Sequence, residues 1–105
     1  MSREHVFSAL SNPVRRELLE LLIEGEETPG RLAESFSLSR SAVSEHLSIL
    51  REAGLVTEEI IGRERLYSLN VEPLRQISSW LRPFEHYWQQ RLAALGAMLE
   101  EDDEE

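Results

Sequence analysis

The chain has 105 residues, 41% hydrophobic and 30% charged, which fits one soluble domain with a modest core rather than a disordered chain. It contains no cysteine, which excludes disulfides, thiolate metal sites and a cysteine nucleophile together. No apolar run approaches the roughly 20 residues of a membrane span, and no secretory signal is read at the N-terminus, so a cytoplasmic location and no membrane partner are expected.

Glu4 to Leu10 predicts a short first helix with Val6, Phe7 and Leu10 on one face. Ser11-Asn12-Pro13 is a stop and restart, with Asn12 as a cap and Pro13 in the next first turn. Val14, Leu18, Leu21 and Leu22 form the stripe of a second helix, which Gly25 ends. Thr28-Pro29 repeats the cap-then-proline signal and starts a third helix near Pro29. Its apolar residues are Leu32, Ala33 and Phe36, and Ser37-Leu38-Ser39 breaks it.

Ser39 is the expected N-cap of a fourth helix that runs to Ala53-Gly54. Val43, Leu47 and Leu50 fall on one face and predict its core side. Arg40, Ser41, Ser44, Glu45 and Ser48 point away. Small hydroxyls with an arginine cover a core poorly. They suit hydrogen bonds to base edges and phosphates, although an ordinary wet helix face has the same composition. The preceding helix and tight break favour the first reading. Two short helices joined in this way form a helix-turn-helix, which sets its second helix in the DNA major groove.

The period then changes. Val56 to Ile61 is rich in strand formers, Leu66 to Leu69 answers it, and Gly62-Arg63 is the turn between them. A hairpin directly after the helix-turn-helix makes the motif winged. Arg63 and Arg65, at or beside the tip, suit phosphate or minor-groove contact; the plainer alternative is a charged tip that keeps edge strands soluble.

Asn70 is expected to cap a further helix, with Pro73 in its first turn and Leu74, Ile77 and Leu81 as its stripe. Pro83 should kink or break it. From Phe84 a long helix carries Phe84, Trp88, Leu92, Leu95 and Leu99 as one continuous seam, widened by Leu81, Tyr87 and Met98. So wide a stripe on a small chain predicts a C2 homodimer through this helix, with the first helix and its Phe7 packed against it. Two recognition helices roughly 34 Å apart then read two half-sites.

The net charge of −9 is unevenly spread. Six of the 20 acids lie in Glu100 to Glu105, and without them 14 acids face 11 bases, all arginine, for a net of −3. Residues 1–99 are therefore read as one winged helix-turn-helix domain with a terminal dimerisation helix, and 100–105 as a disordered acidic tail. The fold class expected is mainly α with a small β-hairpin wing, α+β.

With these pieces in order the chain resembles the ArsR family of bacterial winged-helix repressors. Three blocks carry the resemblance: FSALSNPVRRELLELL from Phe7 to Leu22, TPGRLAESFSLSRSAVSEHLSILREAGLV from Thr28 to Val56, and GRERLYSLN from Gly62 to Asn70. Several independent blocks in order, over about the first 95 residues, make chance improbable. The C-terminal part looks most like a non-metal-sensing, autorepressor branch.

The resemblance implies a dimeric repressor that binds a palindromic operator in double-stranded DNA. It also implies DNA contact at Arg40, Ser41, Ser44 and His46 and at the wing residues Arg63 and Arg65; Ser39 and Glu45, on the same helix, complete the expected DNA-binding set. His46 borders core and groove, so a structural hydrogen bond and a phosphate contact both remain open. Glu45 departs from the family pattern. An acid there meets phosphate repulsion, accepts from a cytosine amino group, or holds Arg40 or Arg51, and the departure bears on which operator is read.

No cofactor is expected. A zinc site needs three or four convergent ligands, and only His86, beside Glu85, lies on the terminal helix, with His5 on the first. A metal-responsive repressor using His5 and His86 is one alternative. A protein-binding winged helix with weak DNA binding is another. No phosphate loop or nucleophile elbow points to an enzyme.

Overall fold

The computed structural model describes residues 2–103. Its order is α1 (Arg3–Leu10), α2 (Pro13–Leu22), α3 (Pro29–Ala33), α4 (Arg40–Glu52), β1 (Val56–Ile61), β2 (Glu64–Leu69) and α5 (Leu74–Asp103).

Each of the first four helices starts on a side-chain cap. Ser2 Oγ accepts from the His5 amide, Asn12 Oδ1 from those of Val14 and Arg15, Thr28 Oγ1 from Arg31, and Ser39 Oγ from Ala42. Each cap satisfies donors that a helix start leaves unpaired, worth about 1 kcal/mol. α4 ends as cleanly as it begins. Gly54, at φ 79°, donates to the Arg51 carbonyl, and Leu55 donates to that of Leu50, both at 2.9 Å. This is the Schellman arrangement, and Leu50 and Leu55, the pair it brings together, are both fully buried.

β1 and β2 pair antiparallel in the register Val56↔Leu69 through Ile61↔Glu64. Of the two turn residues only Gly62, in the first position, takes a positive φ, 63°, which matches the twist of a two-residue hairpin. One pairing has no signal in the sequence. The α2–α3 connection lies against β2, where Glu27 and Tyr67 exchange backbone hydrogen bonds of 3.0 and 2.9 Å. The wing is thus fastened to the body on its β2 side, and β1 is the outer edge.

The core draws on α1 to α4 and both strands: Val6, Ala9, Leu18, Leu19, Leu22, Leu32, Val43, Leu47, Leu50, Leu55, Val56 and Tyr67 are buried. The α4 face agrees with the expected one. On α1 it is Val6 and Ala9 that are buried, while Phe7 and Leu10 are only half-buried, because α5 covers one side of the helix and the body the other. On α2, Leu19 is buried and Val14 and Leu21 are half-buried.

Four expectations about boundaries are corrected. α3 stops at Ala33, and Phe36 follows in a tight turn whose amides, from Glu34 to Phe36, bond three residues back. Asn70 does not cap α5. Its Nδ2 donates to the Gly54 carbonyl at 2.8 Å and its Oδ1 accepts from Glu72, so it ties the end of β2 to the end of α4, and α5 begins at Leu74. Of the two effects expected of Pro83, a kink or a break, the break does not occur: α5 is one helix of 30 residues. Proline removes the bond to the Ser79 carbonyl. Residues 78–83 are exposed, so the helix continues where solvent can take the place of that bond. The helix also runs on to Asp103, through most of the acidic run expected to be disordered; residues 104 and 105 lie outside the described residues.

α5 packs on α1 at its N-terminal part, where the Phe7 ring meets Trp80 edge-on at 5.3 Å and Trp80 leans on Phe84 at 4.9 Å. Beyond that it projects, and the chain measures 69 × 29 × 20 Å. No helix among the described residues is long and apolar enough to cross a membrane.

Candidate nucleic-acid interface

The outward face of α4 follows from its inward one. Val43, Leu47 and Leu50 are fully buried against α2 and α3, so the opposite side of the helix must face solvent. Ser41 and Glu45 are exposed there and Ser44 and Ser48 are half-buried, while Arg40, the first residue of the helix, is exposed at its border with the buried face. Ser39, also exposed, spends its hydroxyl on the cap to Ala42. The helix N-terminus therefore presents an arginine, hydroxyls and free amide dipoles to one side, a combination suited to an anion such as phosphate.

Glu45 makes no ion pair among the described residues. It holds neither Arg40 nor Arg51, so its carboxylate is free at this surface. His46 is half-buried and turned toward the body, its Nδ1 3.4 Å from Arg15 Nη1. Arginine only donates, so Nδ1 is the acceptor in this contact. Arg15 is itself anchored: Nε donates to the Ala9 carbonyl at 2.7 Å and Nη2 to that of Ser8 at 3.2 Å. It caps the end of α1 and reaches α4 with its remaining nitrogen. Of the two uses left open for His46, the structure contains the structural hydrogen bond.

At the wing the two arginines differ. Arg63 is exposed at the tip and makes no ion pair among the described residues. Arg65 is engaged, its Nη1 3.2 Å from Glu58 Oε1. The same carboxylate receives Arg51 Nη1 at 2.5 Å and the Tyr67 hydroxyl at 3.1 Å. Burial first, and then the hydrogen bond and charge of Glu58, push the Tyr67 phenol above its ordinary value, so it remains a donor near neutral pH.

Arg15, Arg51, Glu58 and Tyr67 were missing from the expected site. One signal was present. A two-residue turn at Gly62-Arg63 sets Glu58 opposite Tyr67, and cross-strand neighbours interact. The convergence of Arg51 from α4 has no such signal.

The expected dimer residues form a second, separate surface. Leu81, Phe84, Tyr87, Trp88, Leu92, Leu95 and Leu99 are all exposed in the single chain, Trp88 at 62% and Leu92 at 49%, and Trp80 belongs with them. Phe7 is half-buried under Trp80. Arg91 lies over the Tyr87 ring, 4.9 Å from its centre. Among the described residues no cluster of three or more histidines and carboxylates is placed to hold a metal ion, and the His86 ring lies 3.3 Å from Gln90.

Residues 12–58, from the α2 cap to Glu58, match the model of the bacterial regulatory protein arsR family. The transcriptional repressor SdpR of Bacillus subtilis is 39% identical over 80 residues, covering 76% of this chain and 89% of the relative. The HTH-type transcriptional regulator Rv2034 of Mycobacterium tuberculosis is 29% identical over 104 residues, covering 99% of this chain and 94% of the relative. Among solved structures, an ArsR-like transcriptional regulator from Rhodococcus sp. RHA1 superposes with a TM-score of 0.72 at 33% identity, over 92% of this chain and 89% of that one.

Proposed function

This chain belongs to the ArsR family of bacterial regulatory proteins and is a DNA-binding transcriptional repressor, and we propose that it acts as a homodimer on a palindromic operator, with its own promoter as the first site to examine. The observation that carries this reading is the outward face of α4. Its opposite face is fully buried, so Arg40, Ser41 and Ser44 stand on a rigid element beside a wing that ends in Arg63.

In this reading Ser41, Ser44 and Glu45 meet base edges, Arg40 and Arg63 hold phosphates, and the α4 N-terminus adds its dipole. Ser39 supports the helix through its cap, and His46 fixes α4 against Arg15. Glu45, with no arginine to neutralise it, selects for a cytosine amino group or lowers affinity elsewhere. The α5 seam, with α1 beside it, joins two copies so that two α4 helices enter successive major grooves about 34 Å apart. Repression follows from occupancy: a dimer over a promoter blocks polymerase.

A footprint on the DNA upstream of its own gene tests this. Two protected half-sites one helical turn apart are expected, and no binding to that DNA at low salt overturns the autoregulatory operator. Arg63→Ala is expected to weaken binding to all sequences alike and to lower the salt slope of log K by about one unit, as for one lost phosphate contact. A slope equal to that of the parent places Arg63 off the DNA.

A further inference from the structure

We propose that Glu58 is a specificity-determining positioning residue: it withholds Arg51 and Arg65 from DNA phosphates and locks the wing to the end of the recognition helix. The proposal rests on the DNA-binding reading of α4 and the wing.

Three donors from three positions meet one carboxylate. Arg51 comes from the last turn of α4, Arg65 and Tyr67 from β2, and Glu58 stands between them on β1. The Glu58 side chain is only 8% exposed, against 48% for Arg51 and 60% for Arg65. The acid is thus the buried centre, and the arginines are its accessible rim. With three donors in place the carboxylate is nearly saturated, which fixes its direction and theirs.

The direction of Arg51 matters. Eleven residues separate it from Arg40, and at about 100° per residue that returns it to within about 20° of the same helix face. Arg51 therefore lies, like Arg40, at the border between the buried Leu47 side of α4 and its exposed Ser44 side, at the end of the helix nearer the wing. Without Glu58, two arginines on this side would be free to seek phosphates, which bind any sequence equally. With Glu58, Arg40 and Arg63 are the cations on α4 and the wing that make no ion pair among the described residues. The carboxylate sets both the angle of the wing and the number of cations available for sequence-independent attraction.

Glu58→Gln tests this against the parent, each titrated on operator and on unrelated duplex across a salt series. Gln keeps the size of the side chain and an acceptor for Tyr67. The variant is expected to bind unrelated DNA about tenfold more tightly at low salt, with a log–log salt slope steeper by one to two units. Its ratio of operator to unrelated affinity falls. A merely structural role predicts the opposite, weaker binding to both at an unchanged slope, and that result overturns the proposal, as does a variant indistinguishable from the parent.

Arg65→Gln is the second arm, informative even if Glu58→Gln fails to fold. A withheld arginine leaves the parent slope unchanged when removed, whereas a slope lower by about one unit shows that Arg65 already held a phosphate and overturns the proposal. If the parent itself binds neither DNA, the reading of α4 fails instead.

Discussion

Leu92→Glu is expected to turn the proposed dimer into a monomer and to weaken binding to the proposed operator about 10²–10⁴-fold, the range by which joining two sites raises affinity. Leu92 lies in the middle of the α5 seam and is 49% exposed in the single chain, so its own fold does not depend on it. Across a two-fold axis each copy would bring a carboxylate into an apolar interface beside its symmetry mate. Desolvation and like-charge repulsion then act together. Sedimentation should give the monomer mass, with circular dichroism unchanged. Residual binding should protect one half-site rather than two. A variant that stays dimeric and binds like the parent places the dimer interface elsewhere.

Leu47→Ala is expected to destabilise the fold by about 2–5 kcal/mol, through lost burial and the cavity left behind. A domain of this size has about 5–15 kcal/mol in total, so Tm should fall by about 10 °C or more. Leu47 is fully buried in the middle of α4, held between α2 and α3. Ile49, two residues on, is 41% exposed and serves as the internal comparison. Thermal melts at one protein concentration should show a clearly smaller loss for Ile49→Ala. Equal losses at the two positions would contradict the assignment of the buried face of α4.

Both predictions rest on features already legible in the residue order. The 3.6-residue periodicity of α4 places Val43, Leu47 and Leu50 inside, and burial agrees. Asn12, Thr28 and Ser39 announce the starts of α2, α3 and α4 because a capping side chain acts on its own next turn. Gly62 announces the hairpin because only glycine takes its backbone angle without strain. The outward row of α4 is the complement of the inward one and was readable for the same reason.

The misses are equally physical. Proline signals a lost hydrogen bond and a clash, but whether these end a helix depends on access of solvent to the orphaned carbonyl, and on α5 that access is open. Asn70 has the chemistry of a cap and the Gly54 carbonyl within reach, and the second partner is brought by the fold rather than by the next turn. Arg65 and His46, expected at a DNA surface, also meet Glu58 and Arg15 within the chain, partners that no local pattern announces.

The sequence by itself determined the local elements, their caps, the buried face of α4, the hairpin turn and an apolar seam too wide for one chain, because each depends on residues within a few positions of one another. Only the tertiary structure decided which cations remain free at the surface, how the wing is fastened through Glu27 and Glu58, and that α5 is continuous. The first two depend on groups that packing brings together, 7 positions apart for Arg51 and Glu58 and 31 for Arg15 and His46, which leave no period in the sequence; the third depends on the exposure of α5 around Pro83.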